Sequence, residues 1–377
     1  MQLRNQVFER VALLLQGGGA LGAYQGGVYQ ALAEAALHPN CVSGISIGAI
    51  NAALIAGNAP SERVVALRAF WEKITEPPLG FPYISALFGA FQKGNDQLHG
   101  YVSQMHALVT AANGVGGFFK PRYLPPLLAA SSDSLYDTSP LRETLEGLID
   151  FDRLNSGETW FSVGAVNVRS GNFKYFDSTE CRIEPEHIMA SGALPPSFPA
   201  VEIEGEYYWD GGVVSNTPLS WVLQSHSRKD TLAFQVDLWK AGGELPRTMV
   251  DIDLRQKDIR YSSRTRANTD QFREMQRARR AVHRLLAQVP DISVLPEEER
   301  RLLASVADEK VYNIAHLIYR AKTYEGSSKD YEFSRESMEE HWASGYRDAL
   351  ATLKHPEILQ RPTATDGVSI FDLGHKS

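Results

Sequence analysis

The pentapeptide Gly44-Ile45-Ser46-Ile47-Gly48 stands directly after a short apolar run and directly before the small-residue run from Ala49 to Ala56. Strand, turn and helix in that order, with a serine at the turn and a glycine two residues to either side, is the pattern of a nucleophile elbow. The glycines let the backbone cross itself without a Cβ clash, and the hydroxyl is lifted into the open. Such a turn implies an α/β fold. The pentapeptide needs partners before it means chemistry, because G-x-S-x-G also arises by chance in a chain with 30 glycines.

One partner is Gly17-Gly18-Gly19-Ala20-Leu21-Gly22, which follows the apolar run Val11 to Leu15 and precedes a helical stretch reaching Ala36. Successive glycines free the backbone to aim several N–H groups at one point, and the N-terminus of the following helix adds partial positive charge there. Such a loop suits a phosphate or an oxyanion. Gly17, Gly19 and Gly22 also satisfy the G-x-G-x-x-G dinucleotide fingerprint. That site wants an acidic residue about 20 positions on, at the end of the second strand. The corresponding stretch, Asn40-Cys41-Val42-Ser43-Gly44-Ile45, has neither Asp nor Glu and ends in the serine elbow.

The other partner is Tyr207-Tyr208-Trp209-Asp210-Gly211-Gly212. An aspartate after aromatics and before two glycines is fixed at a strand end with room for close approach, although Asp-Gly read alone is a common hairpin turn.

Taken in order, these segments resemble the patatin-like phospholipases. Gly17 to Gly22 matches that family's oxyanion loop, Gly44 to Gly48 its serine elbow, and Asp210-Gly211-Gly212 the motif of its catalytic aspartate. Ala190-Ser191-Gly192-Ala193-Leu194-Pro195 looks like the block that precedes the aspartate. The resemblance covers residues 9 to 240 and implies a three-layer α/β/α patatin-like sheet. It implies a lipid acyl hydrolase of the phospholipase A or lysophospholipase type: a serine carboxylic ester hydrolase working through Ser46 and Asp210, without catalytic histidine, cofactor or metal. Gly17, Gly18, Gly19 and Gly22 would hold the oxyanion, and Gly44 and Gly48 would shape the elbow. Leu21 departs from the many members that carry Lys or Arg there, which removes a cation's help to a phosphate head group but leaves the backbone donors.

A serine hydroxyl needs a base within hydrogen-bond reach. An ordinary aspartate, with a pKa near ~3.9, is a weak base at neutral pH; burial beneath Tyr207, Tyr208 and Trp209 is the expected way to raise it, since desolvation disfavours the charged form. The rival is a Ser-His-Asp arrangement in the chain order serine, acid, histidine. His226, His283, His316, His341, His355 and His375 all lie downstream of Asp210, but none sits in a setting that singles it out. Outside hydrolysis, the alternatives are an acyltransferase, or a protein that uses the groove only to bind acyl chains or phosphates. A binder would need neither Ser46 nor Asp210.

Composition bounds the remaining classes. The 377 residues are 43% hydrophobic and 22% charged, ordinary for a globular protein, and a net charge of −7 argues against nucleic-acid binding. Cys41 and Cys181 make no disulfide framework and fit a reducing, cytoplasmic compartment. The first apolar run is too short for a signal peptide, and no window approaches the ~18 apolar residues of a membrane span. Lipid or phospholipid substrate would then be met from the water side, by peripheral contact with a membrane surface.

The catalytic domain is expected over residues 9 to 245. Within it, residues 77 to 130 form an apolar, aromatic insertion that includes Phe81, Phe88, Phe118 and Phe119. This insertion reads equally as a flap over the serine and as a segment packed on the core. Tyr136 to Glu143 reads as a helix start, Trp160 to Val168 and Phe173 to Phe176 as a hairpin, and Leu232 to Val236 as a core strand. Residues 246 to 360 are expected as a smaller, mainly helical C-terminal extension of the kind found on one bacterial subgroup of the family, docked on the catalytic domain or making a homodimer contact. The arginine-rich run Arg255 to Arg284 predicts an amphipathic helix: either a surface for anionic head groups or a solvated helix with paired arginines. Val311 to Tyr319 predicts a strand, Ser334 to Leu353 a helix capped by Ser334, and 361 to 377 a mobile tail.

Overall fold

Side chains along a strand point to opposite faces in turn. In β1 (Arg10–Leu15), Leu13 and Leu15 accordingly join one apolar cluster while Ala12 and Leu14 join another. A strand buried on both faces belongs inside a sheet with helices on each side. The computed structural model describes residues 7–77, 96–122, 132–224, 228–262, 265–289, 292–322, 325–326 and 328–372. The further strands are β2 (Cys41–Gly44), β3 (Lys120–Pro121), β4 (Tyr136–Asp137), β5 (Trp160–Asn167), β6 (Phe173–Asp177), β7 (Val201–Ile203), β8 (Glu206–Asp210), β9 (Thr231–Asp237), β10 (Tyr312–Ile318) and β11 (Val368–Asp372). Nine of them form one sheet in the order β11-β10-β9-β1-β2-β5-β8-β7, with β6 also paired to β5. The run from β11 to β5 is parallel, and β6, β7 and β8 are antiparallel additions.

On one face, α1 (Ala23–Glu34), α2 (Ile47–Ala56) and α3 (Arg63–Ile74) pack Tyr24, Val28, Ile50 and Phe70 against Leu13 and Leu15. On the other, Leu219, Val222 and Phe272 cover Ala12 and Leu14. The expected three-layer α/β/α architecture is therefore present. None of the described helices is long and apolar enough to cross a membrane.

Of the 77–130 insertion, residues 78–95 and 123–130 lie outside the described residues. Its described part holds α4 (Asp96–Asn113) and the segment to Arg122. There Phe118 and Phe119 are buried in edge-on contact with each other and with Phe333, and Phe119 also meets Tyr136 and Phe198. This portion packs on the core. The next helix, α5 (Ser139–Leu148), starts as expected, with the Asp137 carboxylate accepting from the Ser139 N–H at 2.8 Å and proline in the first turn.

A domain boundary at residue 245 is not what the chain builds. β10, from the region expected to be a separate extension, pairs with β9 from Tyr312–Thr231 through Ile318–Asp237. β9 is buried at every position, so it cannot serve as an exposed sheet edge. The mobile tail expected over 361–377 is corrected in its described part, since β11 pairs Val368 through Asp372 with Tyr312 through His316, while residues 373–377 lie outside the described residues. The helical character of the region is as expected. α6 (Pro185–Ser191) precedes it in the catalytic part, followed by α7 (Met249–Tyr261), α8 (Thr265–Gln288) and α9 (Arg335–Leu353). Ser334 caps α9 by accepting from the Ser337 N–H at 3.2 Å. α9 crosses α1 in backbone contact: a Cβ at Gly27 would collide with the Trp342 carbonyl, and one at Gly345 with the Tyr24 carbonyl.

The arginine-rich run falls on two helices, α7 and α8, rather than one. Within α8, Phe272 packs on Tyr312, Arg279 is buried, and Arg280 donates to the Glu309 carbonyl at 2.9 Å. Arg279 and Arg280 thus face the body of the protein, because their helix covers β10. Arg277 is exposed and lies 3.9 Å from Glu274.

Candidate active site

Ser46 is the N-cap of α2, with φ 56° and ψ −125°. An L-residue is strained there, and the strain persists only where the surroundings enforce it. They do so through the flanking glycines: a Cβ at Gly44 would collide with the Gly48 carbonyl, and one at Gly48 with the Leu15 carbonyl. The Ser46 N–H donates to the Ser191 hydroxyl at 3.1 Å, and that hydroxyl donates to the Gly164 carbonyl at 2.6 Å. Ser191, at the end of α6, is fully buried, so the elbow is tied to β5 from beneath.

Asp210 ends β8, where its register partner on β5 is Ala165. β5 in turn lies beside β2, which delivers the elbow. The Ser46 hydroxyl and the Asp210 carboxyl face the same cavity, near enough for the hydroxyl to favour the carboxylate, and the Gly212 N–H donates to that carboxyl at 2.7 Å. Asp210 is 2% exposed, and loss of water pushes its pKa up to about 7 against the opposing pull of the Ser46 hydroxyl and the Gly212 N–H. The raised pKa was expected, but the aromatic roof was not correctly placed. Alternation along β8 turns Tyr207 and Trp209 to the opposite face. Tyr207 is exposed, with its hydroxyl on Glu202 at 3.0 Å. Asp210 opens instead on a cavity that it shares with Gly17, Asn216, Trp239 and Tyr261.

The glycine loop is held from two sides. The Gly17 carbonyl accepts from Asn216 Nδ2 at 3.0 Å and from Trp239 Nε1 at 2.9 Å. Across a planar trans peptide the next N–H points the opposite way, so the Gly18 N–H is turned from those donors. Further along, the Ala20 N–H donates to the Asp330 carbonyl at 2.8 Å. Between these anchors, the N–H groups of Gly18 and Gly19 meet no acceptor among the described residues. Gly19 has φ +55°, and a Cβ there would collide with the Asp330 carbonyl. Gly17, Gly18 and Gly19 line one cavity with Ser46 and Asp210. Gly22 does not: its carbonyl accepts from Asn51 at 3.0 Å, and a Cβ would lie 2.6 Å from Ile47 Cγ1, so it serves close packing of the loop on α2. Leu21 is fully buried in the core.

Several site residues carry no signal in the sequence. Gln16 accepts from the Leu238 N–H at 2.6 Å and the Trp239 N–H at 3.0 Å. The Tyr261 carbonyl accepts from Asn216 at 2.8 Å and from Gln16 at 3.2 Å. Asn216, six residues past Asp210, was the most findable of these. Trp239, Tyr261, Asp330 and Phe333 reach the cavity from elements with no motif.

The cavity has a volume of about 400 Å³ and is mostly apolar away from the serine, with Ile50, Phe118, Phe119, Leu194, Phe198 and Phe333 among its walls. No described histidine lines it. His341 lies 3.6 Å from Glu325, His283 3.8 Å from Glu309 and His355 3.1 Å from Glu357; His316 sits on β10, and His226 and His375 lie outside the described residues.

The family model described as Patatin-like phospholipase matches residues 13–222, more than half of the chain. A second, described as Patatin phospholipase, matches residues 259–365. No curated protein sequence matches. Among solved structures, VipD from Legionella pneumophila is similar at 15% identity over all of this chain and 77% of its own, with a TM-score of 0.41. The type III effector ExoU is similar at 16% identity over 93% of this chain and 53% of its own, with a TM-score of 0.34. ExoU of Pseudomonas aeruginosa in complex with SpcU is similar at 17% identity over 69% of this chain and 51% of its own, with a TM-score of 0.26. On the match that spans residues 13–222, this chain belongs to the patatin-like phospholipase family.

Proposed function

We propose that the protein is a lipid acyl hydrolase in which Ser46 is the nucleophile and Asp210 its direct base. What supports this reading most is that a strained, elbow-mounted hydroxyl shares one cavity with a carboxyl whose pKa burial has pushed up to about 7. A carboxyl in that range is partly ionised at neutral pH and basic enough to take a proton in the transition state.

As Ser46 Oγ bonds to the ester carbonyl carbon, its proton passes to Asp210 and the carbonyl electrons move onto oxygen. The N–H groups of Gly18 and Gly19 hold that oxyanion, in a part of the cavity where such donors act with little competition from water. Collapse of the intermediate breaks the C–O bond to the alcohol, which leaves with the proton from Asp210. Water then attacks the acyl-enzyme, giving its proton to Asp210. The second collapse returns that proton to Ser46 and frees the carboxylic acid.

The apolar walls suit a fatty acyl chain. Leu108, Leu135 and Tyr331 line the cavity yet are exposed, giving it an apolar rim through which a chain would enter from a lipid surface. The test is mass spectrometry of products from phosphatidylcholine and lysophosphatidylcholine vesicles. Free fatty acid released by wild type and not by Ser46→Ala supports the reading; vesicles left intact by wild type would refute it.

A further inference from the structure

The region beyond residue 245 reaches the active site at two places, Tyr261 at the end of α7 and the short segment 328–333. Asp330 supplies the backbone carbonyl that accepts from Ala20, and this is the anchor on the far side of the glycine loop from Gly17. Backbone carbonyls move with their chain, so what fixes this one matters.

Two crossed ion pairs fix it. The Asp330 carboxylate accepts from Lys257 Nζ at 3.0 Å, and the neighbouring Lys329 Nζ donates to Asp258 at 2.9 Å. Successive residues of the segment are thereby bound to successive residues of α7, whose last residue, Tyr261, presents its carbonyl to Asn216 and Gln16. Lys329 is almost wholly buried, 4.9 Å from the Trp239 ring centroid. That same indole donates to the Gly17 carbonyl. The lattice therefore touches both anchors of the loop: Asp330 at Ala20, and Lys329 through Trp239 at Gly17. Exposed ion pairs contribute little, but one lysine here is buried, and breaking such a pair leaves an uncompensated charge.

We infer that Lys257, Asp258, Lys329 and Asp330 are positioning residues, holding the Gly17–Ala20 backbone so that the Gly18 and Gly19 N–H groups point at the reacting oxygen. The region beyond residue 245 is then part of the catalytic apparatus, not an accessory to it. This rests on the hydrolase reading above for its consequence in rate, but not for the clamp itself. A misplacement of about 1 Å in such a loop lowers turnover without changing the apolar contacts that bind the acyl chain.

The experiment compares full-length wild type, Lys257→Met, Lys329→Met and Lys257→Arg, measuring kcat and KM on a p-nitrophenyl acyl ester together with hydrogen exchange at the Ala20 amide. We expect Lys257→Met to lower kcat by about 10- to 100-fold with KM within about twofold, and Lys257→Arg to restore most of it. The Ala20 amide should exchange about tenfold faster in Lys257→Met. Lys329 is buried, and if its variant does not fold, Lys257, whose side chain is 27% exposed, carries the test alone. A folded Lys257→Met protein with unchanged kcat and unchanged Ala20 exchange would overturn the inference. Exchange reads the clamp even if wild type leaves the ester untouched, an outcome that would sink the hydrolase reading separately.

Discussion

Ser46 and Asp210 face one cavity, near enough for the hydroxyl to favour the carboxylate, and no described histidine lines the cavity they share. This geometry changes how a pH profile must be read. A rate limb near neutrality is ordinarily credited to histidine, yet here it belongs to a carboxyl raised by burial to about 7.

The rate should climb as Asp210 ionises, be about 100-fold lower at pH 5 than on the plateau, and flatten above about pH 8. Asp210→Asn should abolish the limb with the activity, whereas substituting His316 or His341 should leave its position unchanged. Stopped-time assays across that range check it.

The same shift makes Asp210 a stability liability. Because its folded-state pKa lies above its unfolded value, the native protein retains a proton that the unfolded chain has lost between about pH 4 and pH 7. Stability is fully present below about pH 4 and falls as pH rises through about 7. Asp210→Asn should therefore be more stable than wild type at pH 8, by at most about 4 kcal/mol, and gain little at pH 4. Thermal unfolding of both proteins at the two pH values tests the sign.

Asn216 ties the Gly17 carbonyl to the end of α7. Asn216→Ala should free the loop and lower kcat by about 10- to 100-fold while KM moves little. Steady-state kinetics on one soluble ester would show it, and an equal rise in KM would mean that Asn216 instead contacts substrate.

What the sequence made legible follows from the reach of each constraint. Ser46, Asp210 and Gly17 to Gly19 could be read because their geometry is local: a turn that crosses itself requires glycine at Gly44 and Gly48, and a bare loop requires successive glycines. Gly22 was misread for the same reason, since a glycine needed for packing on Ile47 looks the same as one needed for donors. The domain boundary failed because sheet membership is non-local. Val368 to Asp372 is five residues in a polar setting, and only its pairing with β10 makes it a strand. The aromatic roof over Asp210 failed on alternation, which puts Tyr207 and Asp210 on opposite faces. Trp239, Tyr261 and Asp330 were out of reach because their contacts with the loop join distant stretches of chain.

Arg279 and Arg277 lie two residues apart on one helix and should behave differently. Arg279→Ala removes a buried side chain between α8 and the body and should lower stability by about 1–3 kcal/mol. Arg277→Ala, on the exposed face, should change it by less than about 0.5 kcal/mol. Denaturant titrations of the two variants decide this.

Labelling by a fluorophosphonate, with the modified residue located by peptide mass mapping, tests the central claim most directly. The account predicts one adduct on Ser46 in wild type, none in Ser46→Ala, and slowed labelling in Asp210→Asn. Labelling that persists in Ser46→Ala, or that is lost when a histidine is replaced while Asp210→Asn reacts at the wild-type rate, would contradict it.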